Sequence, residues 1–345
     1  MRIPERGSSK DDVLAKLEEY RADDMNWREG KTWGYIFDPG AAAEEVGKQA
    51  YMKFLSENAL DPTVFPSLLR FENDIVGMAA SHVHGDADTV GSFTSGGTES
   101  IILAVKTARN YCRQHKPQIR EPEMVLPITA HAAFYKAAAY LDVKAVPVDV
   151  DEQSFRADLD AVRDAIGPNT ILLVGSAPSY AHGVIDPIEE MAKIALEKDL
   201  LFHVDACMGG FLLPYFRRLG QDVPPFDFQV EGVTSLSMDL HKYAYTPKGA
   251  SLVLYRNKGL RKYQLFACAR WTGYTVVNPT VQSSRTGGAL AATWAVMHLI
   301  GDKGYMDLAR KLKDATDRIV TTIGSIPGLR VMAPPAMSFL GVEAD

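Results

Sequence analysis

The chain has 345 residues, of which 46% are hydrophobic and 23% are charged, and its formal net charge is −6. A chain of this length and composition can bury a sizeable core, which favours one large domain with a smaller part attached. The acidic balance argues against a protein that binds nucleic acid or an anionic membrane surface through a basic exterior.

The cysteines and the N-terminus narrow the class of protein further. Cys112, Cys207 and Cys268 are odd in number and widely separated, which argues against a disulfide framework, and without a Cys-x-x-Cys pair no zinc site is expected. Residues 1–10 are polar and contain no apolar segment of a signal peptide. No stretch approaches the ~18 apolar residues of a membrane span. We therefore expect a soluble, cytoplasmic protein without a metal.

The predicted elements begin with a polar helix over residues 9–21, for which Ser9 is a suitable N-cap. Residues 22–66 mix aromatic residues with Gly and Pro and are expected to be irregular with short helices. From about residue 68, apolar runs of strand length alternate with segments of helical period. The predicted strands are 124–128, 144–148, 171–175, 201–204, 235–238 and 252–255. The predicted helices are 99–114, 132–141, 155–165, 188–198 and 289–300.

The alternation of strands and helices predicts an α/β domain with a mostly parallel sheet covered by helices on both faces. A long charged helix is expected from residue 303 to residue 322, followed by a Pro-Gly turn and a strand at 329–332. The predicted organisation is an N-terminal segment (1–67), a large α/β domain (68–302) and the start of a small C-terminal domain (303–345).

A glycine-rich turn precedes the first predicted helix of the α/β domain. Two glycines in Ser95-Gly96-Gly97-Thr98-Glu99-Ser100 allow a sharp turn, so that free amides at the start of the helix can face an anion. The hydroxyl of Thr98 or Ser100 could add a further donor. An ordinary helix cap would explain the same residues.

Two polar residues follow apolar strands. Asp205 ends the run Leu-Phe-His-Val, and the carboxyl ends of strands in open α/β sheets are where ligands bind. Its carboxylate could hold a protonated heteroaromatic nitrogen, bind a metal or cap a helix. His131 follows the run 125–128 and could stack on a flat ring, or could simply form a hydrogen bond at the start of a helix.

Lys242 lies just after the predicted strand 235–238. A lysine near a strand end can be desolvated, which makes its amine nucleophilic, although a solvated loop lysine is the commoner case. His241 beside it could donate to a phosphate. The sequence lacks the glycine patterns of nucleotide-binding and dinucleotide-binding loops, His-Glu-x-x-His and Gly-x-Ser-x-Gly, which argues against those enzyme classes.

Three stretches together resemble the fold-type I pyridoxal-phosphate enzymes, in the branch shared with the group II amino-acid decarboxylases. They are residues 94–100, residues 182–187 with 203–211, and residues 241–255. The forms Asp-Ala-Cys-x-Gly-Gly-Phe and His-Lys-Tyr-x-Tyr-x-Pro-Lys-Gly resemble the sphingosine-1-phosphate lyases within that branch. The similarity covers roughly residues 30–330.

The resemblance implies a cofactor site for pyridoxal phosphate. Lys242 would bind the cofactor covalently, Asp205 would pair with the pyridinium nitrogen, and His131 would stack on the ring. The residues implied for the cofactor phosphate are Gly97, Thr98 and His241, with Ser284 reaching it from the second subunit of a homodimer.

The resemblance also implies an activity. A phosphorylated long-chain base would be cleaved in a retro-aldol sense to a fatty aldehyde and phosphoethanolamine, as in sphingolipid catabolism. Tyr35 and Tyr180 correspond to active-site tyrosines, Lys248 to a lysine that binds the substrate phosphate, and Tyr180 or the released Lys242 would carry the proton. An amino-acid decarboxylase with carboxy-lyase activity and an inactive protein of this fold are the alternatives.

The sequence departs from the family pattern in two places. Asp61 stands where the lyases have the histidine of a Leu-His-Pro segment that contributes to the substrate-phosphate site, and a carboxylate there would repel a phosphate dianion. The true substrate and its chain length are therefore open. The chain also ends at residue 345, within the small C-terminal domain of the family, which we interpret as truncated.

Overall fold

The computed structural model describes residues 2–32 and 34–344, and the chain forms two compact units, Met1–Asp38 and Pro39–Asp345. The first unit contains helix α1 (Lys10–Arg21) and a 3-10 turn at Trp27–Glu29. The hydroxyl of Ser9 accepts a hydrogen bond from the amide of Asp12, which confirms the predicted cap.

The second unit alternates helices and strands along most of its length. Its helices are α2 (Ala41–Lys53), α3 (Pro66–His82), α4 (Gly97–His115), α5 (Ala133–Leu141), α6 (Leu159–Ala165), α7 (Ile188–Glu197), α8 (Leu213–Arg218), α9 (Lys258–Arg261) and α10 (Gly287–Gly324). Its strands are β1 (Val90–Thr94), β2 (Glu123–Pro127), β3 (Lys144–Val148), β4 (Thr170–Ser176), β5 (Leu201–Asp205), β6 (Ser235–Met238), β7 (Ser251–Tyr255), β8 (Phe266–Cys268), β9 (Val276–Asn278), β10 (Leu329–Val331) and β11 (Val342–Ala344).

Seven strands form one sheet in the order β1-β7-β6-β5-β4-β2-β3. The strands from β3 to β6 pair in parallel, whereas β7 is antiparallel to both β6 and β1. This confirms the predicted α/β class and its mostly parallel sheet. Strands β8 and β9 form a separate hairpin, as do β10 and β11.

Strand β4 shows why both faces of the sheet carry helices. All seven of its residues are buried, and their side chains alternate between the two faces. Leu172 and Val174 pack in one core cluster with residues of α4 and α5. On the opposite face, a Cβ added at Gly175 would lie 2.8 Å from Ile188 Cδ1 of α7. A continuous apolar run was therefore the correct signal for this strand.

Several elements differ from those predicted. Helix α2 lies within the stretch 22–66, which was expected to be irregular with short helices, whereas α3 lies at 66–82, where no helix was predicted. The helix predicted at 155–165 begins only at Leu159, because the Asp158 carboxylate caps it. The helices predicted at 289–300 and from 303 form one element, α10, interrupted by non-helical backbone at Gly301. The boundaries predicted at 67 and 302 stay predictions.

Two further features of the described residues bear on the class of protein. Within the described ranges, no helix is both long and apolar enough to cross a membrane. Across the same residues, no three His, Cys, Asp or Glu side chains are grouped so that they could hold a metal ion.

Candidate active site

The carboxyl ends of β5 and β6 bring the polar residues of the candidate site together. Asp205 is the last residue of β5, and Asp239 directly follows β6. Because the two strands are parallel and paired, with Asp205 opposite Ser237, their polar ends meet at the same edge of the sheet. Lys242 follows in a tight turn, in which its amide donates to the carbonyl of Asp239.

A chain of hydrogen bonds fixes Asp205. Only 7% of the residue is exposed, and its Oδ1 accepts from the amide of Cys207 and from the hydroxyl of Ser237, both at 3.1 Å. The hydroxyl has one proton, so His203 Nε2, 3.2 Å away, must donate to Ser237 Oγ, and its Nδ1 accepts from Ser235 at 2.9 Å. The arrangement fixes the Asp205 carboxyl group at the end of the sheet.

Burial lowers the pKa of His203 from 6.5 to about 4, opposed by the charge of Asp205. Between these values the unfolded chain binds a proton that the folded chain does not, so this stabilisation is complete above pH 6.5 and is lost as the pH falls through about 4. We expect His203→Gln to flatten the rise of the unfolding free energy with pH in this window. Urea unfolding of the wild type and the variant at several pH values measures this slope. An equal slope in the two proteins would show that His203 is protonated in the folded wild type in this window.

Lys242 lies in an ion pair. Its Nζ is 2.8 Å from Asp239 Oδ2, with the two side chains 22% and 4% exposed. Burial pulls the pKa of Lys242 down, but the neighbouring carboxylates of Asp239 and Asp205 outweigh it and leave that pKa above the ordinary value. His241 Nε2 is 3.7 Å from the same carboxylate oxygen, and the amine of Lys248 donates to the carbonyl of His241 at 3.1 Å. The cationic side chains of Lys242 and Lys248 therefore lie near each other.

The glycine turn meets this cluster at the start of α4. Gly96 is the N-cap and supplies no side chain, so the expected alternative of an ordinary side-chain cap does not form. A Cβ added at Gly97 would lie 2.8 Å from both oxygens of Asp239 and 2.9 Å from Cys207 Sγ. The first amides of α4 are thus left for an anion, and only glycine allows the close approach.

The shape of the turn depends on Glu99. This buried carboxylate accepts from the amide and hydroxyl of Ser95 at 2.7 and 2.8 Å, and from the amide of Val281 at 2.8 Å. The same side chain therefore joins the turn to the segment that leads to Ser284.

We expect Gly97→Ala to destabilise the fold by about 1–3 kcal/mol, because the added methyl overlaps Asp239 and Cys207 and must displace them or the start of α4. Binding of an anion at the turn should weaken as well. Gly77→Ala is the control, since Gly77 is exposed in α3 with nothing within 4 Å of its added Cβ, and it should stabilise by about 0.4–1 kcal/mol. Equal midpoints of urea unfolding for the two variants would contradict this prediction.

The structure does not bring every predicted site residue into the cluster. His131 is exposed at the start of α5, where its Nδ1 accepts from the amide of Ala133 at 3.1 Å. Ser284 accepts instead from the side-chain amide of Asn58 at 3.1 Å. Thr98 is exposed beside Gly97.

The predicted tyrosines lie in different units. Tyr35 belongs to the N-terminal unit, where it is 83% exposed with φ +68°. Tyr180 is 56% exposed in the loop after β4, with its ring 5.4 Å from that of Phe339. Phe339 belongs to the C-terminal stretch of the chain.

Two residues of the cluster were missed by the sequence interpretation. Asp239 had a local signal, since Asp-Leu-His-Lys places the acid three residues before the lysine, within reach in a turn. Cys207 had none, because its approach to Gly97 depends on the order of the strands.

The cluster fits pyridoxal phosphate, the cofactor expected from the resemblance. It combines a buried carboxylate for a ring nitrogen, a partly exposed amine, and a glycine turn at the start of α4 for an anion. The donor set matches an anionic heteroaromatic aldehyde.

Comparisons with known proteins agree with this geometry. Residues 58–327 match the model of the pyridoxal-dependent decarboxylase conserved domain. A sphingosine-1-phosphate lyase of Arabidopsis thaliana is 44% identical over 95% of this chain, which spans 61% of that relative's length. The structure of a sphingosine-1-phosphate lyase from Burkholderia pseudomallei matches with a TM-score of 0.94 and 35% identity, over 100% of this chain and 80% of the other.

A relative from another activity class is also similar. A probable L-aspartate decarboxylase of Pyrococcus furiosus is 29% identical over 99% of this chain and 90% of its own length. The matching domain is described as pyridoxal-dependent, and pyridoxal phosphate is accordingly the cofactor of this protein. Since the domain model covers most of the sequence, from residue 58 to residue 327, the chain belongs to the pyridoxal-dependent decarboxylase family.

Proposed function

We propose that this chain is a pyridoxal-phosphate-dependent carbon–carbon lyase. The reaction is retro-aldol cleavage of a phosphorylated long-chain base to a fatty aldehyde and phosphoethanolamine. The observation that carries the proposal is the position of Lys248, whose amine contacts the carbonyl of His241 and so places a second cation beside Lys242. A substrate that brings its own phosphate to the cofactor needs such a cation.

The cofactor side of the proposed site uses the residues at the ends of β5 and β6. Lys242 holds the cofactor covalently, and Asp205 faces its ring nitrogen. His131 covers the ring, while the phosphate is held by Gly97, Thr98 and His241. When bound, the cofactor supplies an electron sink for the pair released by the broken carbon–carbon bond.

The substrate side rests on fewer contacts. Lys248 binds the substrate phosphate, and Tyr180 or Lys242 takes the proton of the substrate hydroxyl. Tyr180 is half-exposed in the loop after β4, which leaves it open to a ligand. Tyr35 is proposed as a further active-site tyrosine.

We propose a homodimer in which Ser284 of one subunit reaches the cofactor phosphate of the other. The supporting feature is the apolar surface of the segment before Ser284. Its large apolar side chains that are at least half exposed are Phe266, Trp271, Tyr274, Val277 and Val281. Exposed apolar surface of this kind is typical of an interface with another protein chain. We also propose that the protein is cytoplasmic.

The test of the function is an incubation of the chain with pyridoxal phosphate and a phosphorylated sphingoid base, followed by detection of the fatty aldehyde. Release of carbon dioxide from L-aspartate or another amino acid, without aldehyde from the sphingoid base, would instead favour a decarboxylase, as the similarity to the Pyrococcus furiosus protein allows. Neither product would favour an inactive protein of this fold.

Asp61 offers a test of the substrate. Its Oδ1 accepts from the amide and hydroxyl of Thr63 at 2.8 and 2.6 Å, and these bonds lower the pKa of the exposed carboxyl, so it is charged at neutral pH. The measured quantity is the ratio of kcat/KM for a phosphorylated base to kcat/KM for an unphosphorylated base. We expect Asp61→His to raise this ratio about fivefold, because one charge that repels the phosphate is removed. Asp61→Asn separates the loss of charge from the gain of an imidazole. An unchanged ratio in both variants would place Asp61 away from the substrate phosphate.

A further inference from the structure

Asp239 is the most unusual side chain of the site. Only 4% of the residue is exposed, so its carboxylate is removed from water. One oxygen, Oδ2, is 2.8 Å from Lys242 Nζ. The other, Oδ1, is buried and has no hydrogen-bond partner among the residues that the structure describes. Both oxygens lie where a side chain at Gly97 would begin, which places the carboxylate directly against the start of α4.

The groups around the ion pair decide its charge. Asp205 adds a second anion near Lys242, and burial raises the pKa of the Cys207 thiol well above its ordinary value, so the thiol is neutral. His241 has its pKa lowered by burial, and Lys248 also bears on the pair as a neighbouring cation. With the Asp239 carboxylate in contact with Lys242 and the charge of Asp205 nearby, the lysine is an ammonium in the protein without cofactor.

We propose that Asp239 is a positioning residue that holds Lys242 as an ammonium, directs its nitrogen toward the glycine turn, and so sets the pH dependence of covalent cofactor attachment. An aldehyde reacts with the neutral amine, so the ammonium must first release one proton. The 2.8 Å contact with Asp239 Oδ2 stabilises the ammonium and therefore opposes that release.

The inference rests on the proposed role of Lys242, but its test does not need lyase activity. The cofactor-free chain is acetylated with acetic anhydride at a series of pH values, and the extent of reaction at Lys242 is measured by peptide mass spectrometry. Lys193, exposed on α7, is the internal reference for the reagent. This measurement reports the titration of one amine.

In the wild type, Lys242 should react with a midpoint above that of Lys193. Asp239→Asn, which keeps the shape of the side chain, should lower the Lys242 midpoint by about one pH unit or more. The rate of cofactor attachment, trapped at Lys242 with borohydride, should rise about tenfold at neutral pH for the same reason. Asp239→Glu should restore much of the wild-type midpoint.

Glu123→Gln is the matched control, because Glu123 pairs with Lys144 at the same 2.8 Å distance but lies on β2. An unchanged Lys242 midpoint in Asp239→Asn, or an equal shift in Glu123→Gln, overturns the inference. If Asp239→Asn does not fold, a wild-type Lys242 midpoint below that of Lys193 overturns it instead. Aldehyde formation with an unshifted Lys242 midpoint would support the proposed function and contradict the inference about Asp239. A shifted midpoint without aldehyde formation would support the inference and contradict the proposed function.

Discussion

Lys242→Ala should abolish covalent cofactor attachment and lower kcat/KM for aldehyde formation by about 10³-fold or more, because the variant lacks the amine that the proposed chemistry requires. The change is measured as loss of the borohydride-trapped cofactor peptide and as aldehyde release. Lys242→Arg keeps the positive charge next to Asp239 and should fold like the wild type, yet it should fail to attach the cofactor. It therefore separates loss of the amine from loss of the ion pair.

Lys248→Met distinguishes the two neighbouring lysines. It should keep covalent attachment and raise KM for the phosphorylated substrate, because its proposed partner is the substrate phosphate. If Lys242→Ala retained the trapped cofactor and Lys248→Met lost it, the two roles would have to be exchanged. Their closeness, through the carbonyl of His241, makes this the most informative comparison.

The second large effect is expected at a buried ion pair outside the cluster. Glu72 on α3 accepts from both terminal nitrogens of Arg285, at 3.0 and 2.9 Å, and from the amide of Phe93 at 2.9 Å. The two side chains are only 10% and 14% exposed. Glu72→Ala should cost about 3–5 kcal/mol, because it leaves a guanidinium buried without its carboxylate.

Urea unfolding measures this cost, with Asp307→Ala as the control. Asp307 and Arg310 form a pair of similar length at 2.8 Å, but with the side chains 56% and 54% exposed. Its loss should change the free energy of unfolding by less than about 1 kcal/mol. An equal decrease in the free energy of unfolding in the two variants would show that loss of the buried Glu72 pair costs no more than loss of an exposed pair.

The ion pair also bears on the proposed dimer. Arg285 follows Ser284, and the amide of Arg285 donates to the same Asn58 side chain that donates to the Ser284 hydroxyl. That hydroxyl keeps its own proton, which it can donate to a phosphate. Loss of Glu72 should therefore weaken self-association as well as stability, in sedimentation measurements below the unfolding midpoint.

The sequence alone determined the class of fold and the cofactor. Its apolar runs and helical periods specified strands β2 to β7 and most of the helices, because burial in the sheet requires such runs. It also indicated Asp205, at the end of one such run, and Lys242, four residues after another. The contact between Asp239 and Lys242 depends on a turn of four residues and was within reach of local reasoning.

Strand β1 was decided by the tertiary structure. Val-Gly-Ser-Phe-Thr carries little strand signal, yet Ser92 and Thr94 are buried. Gln264, from a distant part of the chain, supplies a hydrogen-bond partner for Ser92, and Ser100 at the start of α4 supplies one for Thr94. The tertiary structure also set Gly97 against Asp239 and Cys207, and Ser284 against Asn58. These contacts follow from the order of the strands and the packing of α4 and α10. A periodic pattern fixes which face of an element is buried but not which element lies against it.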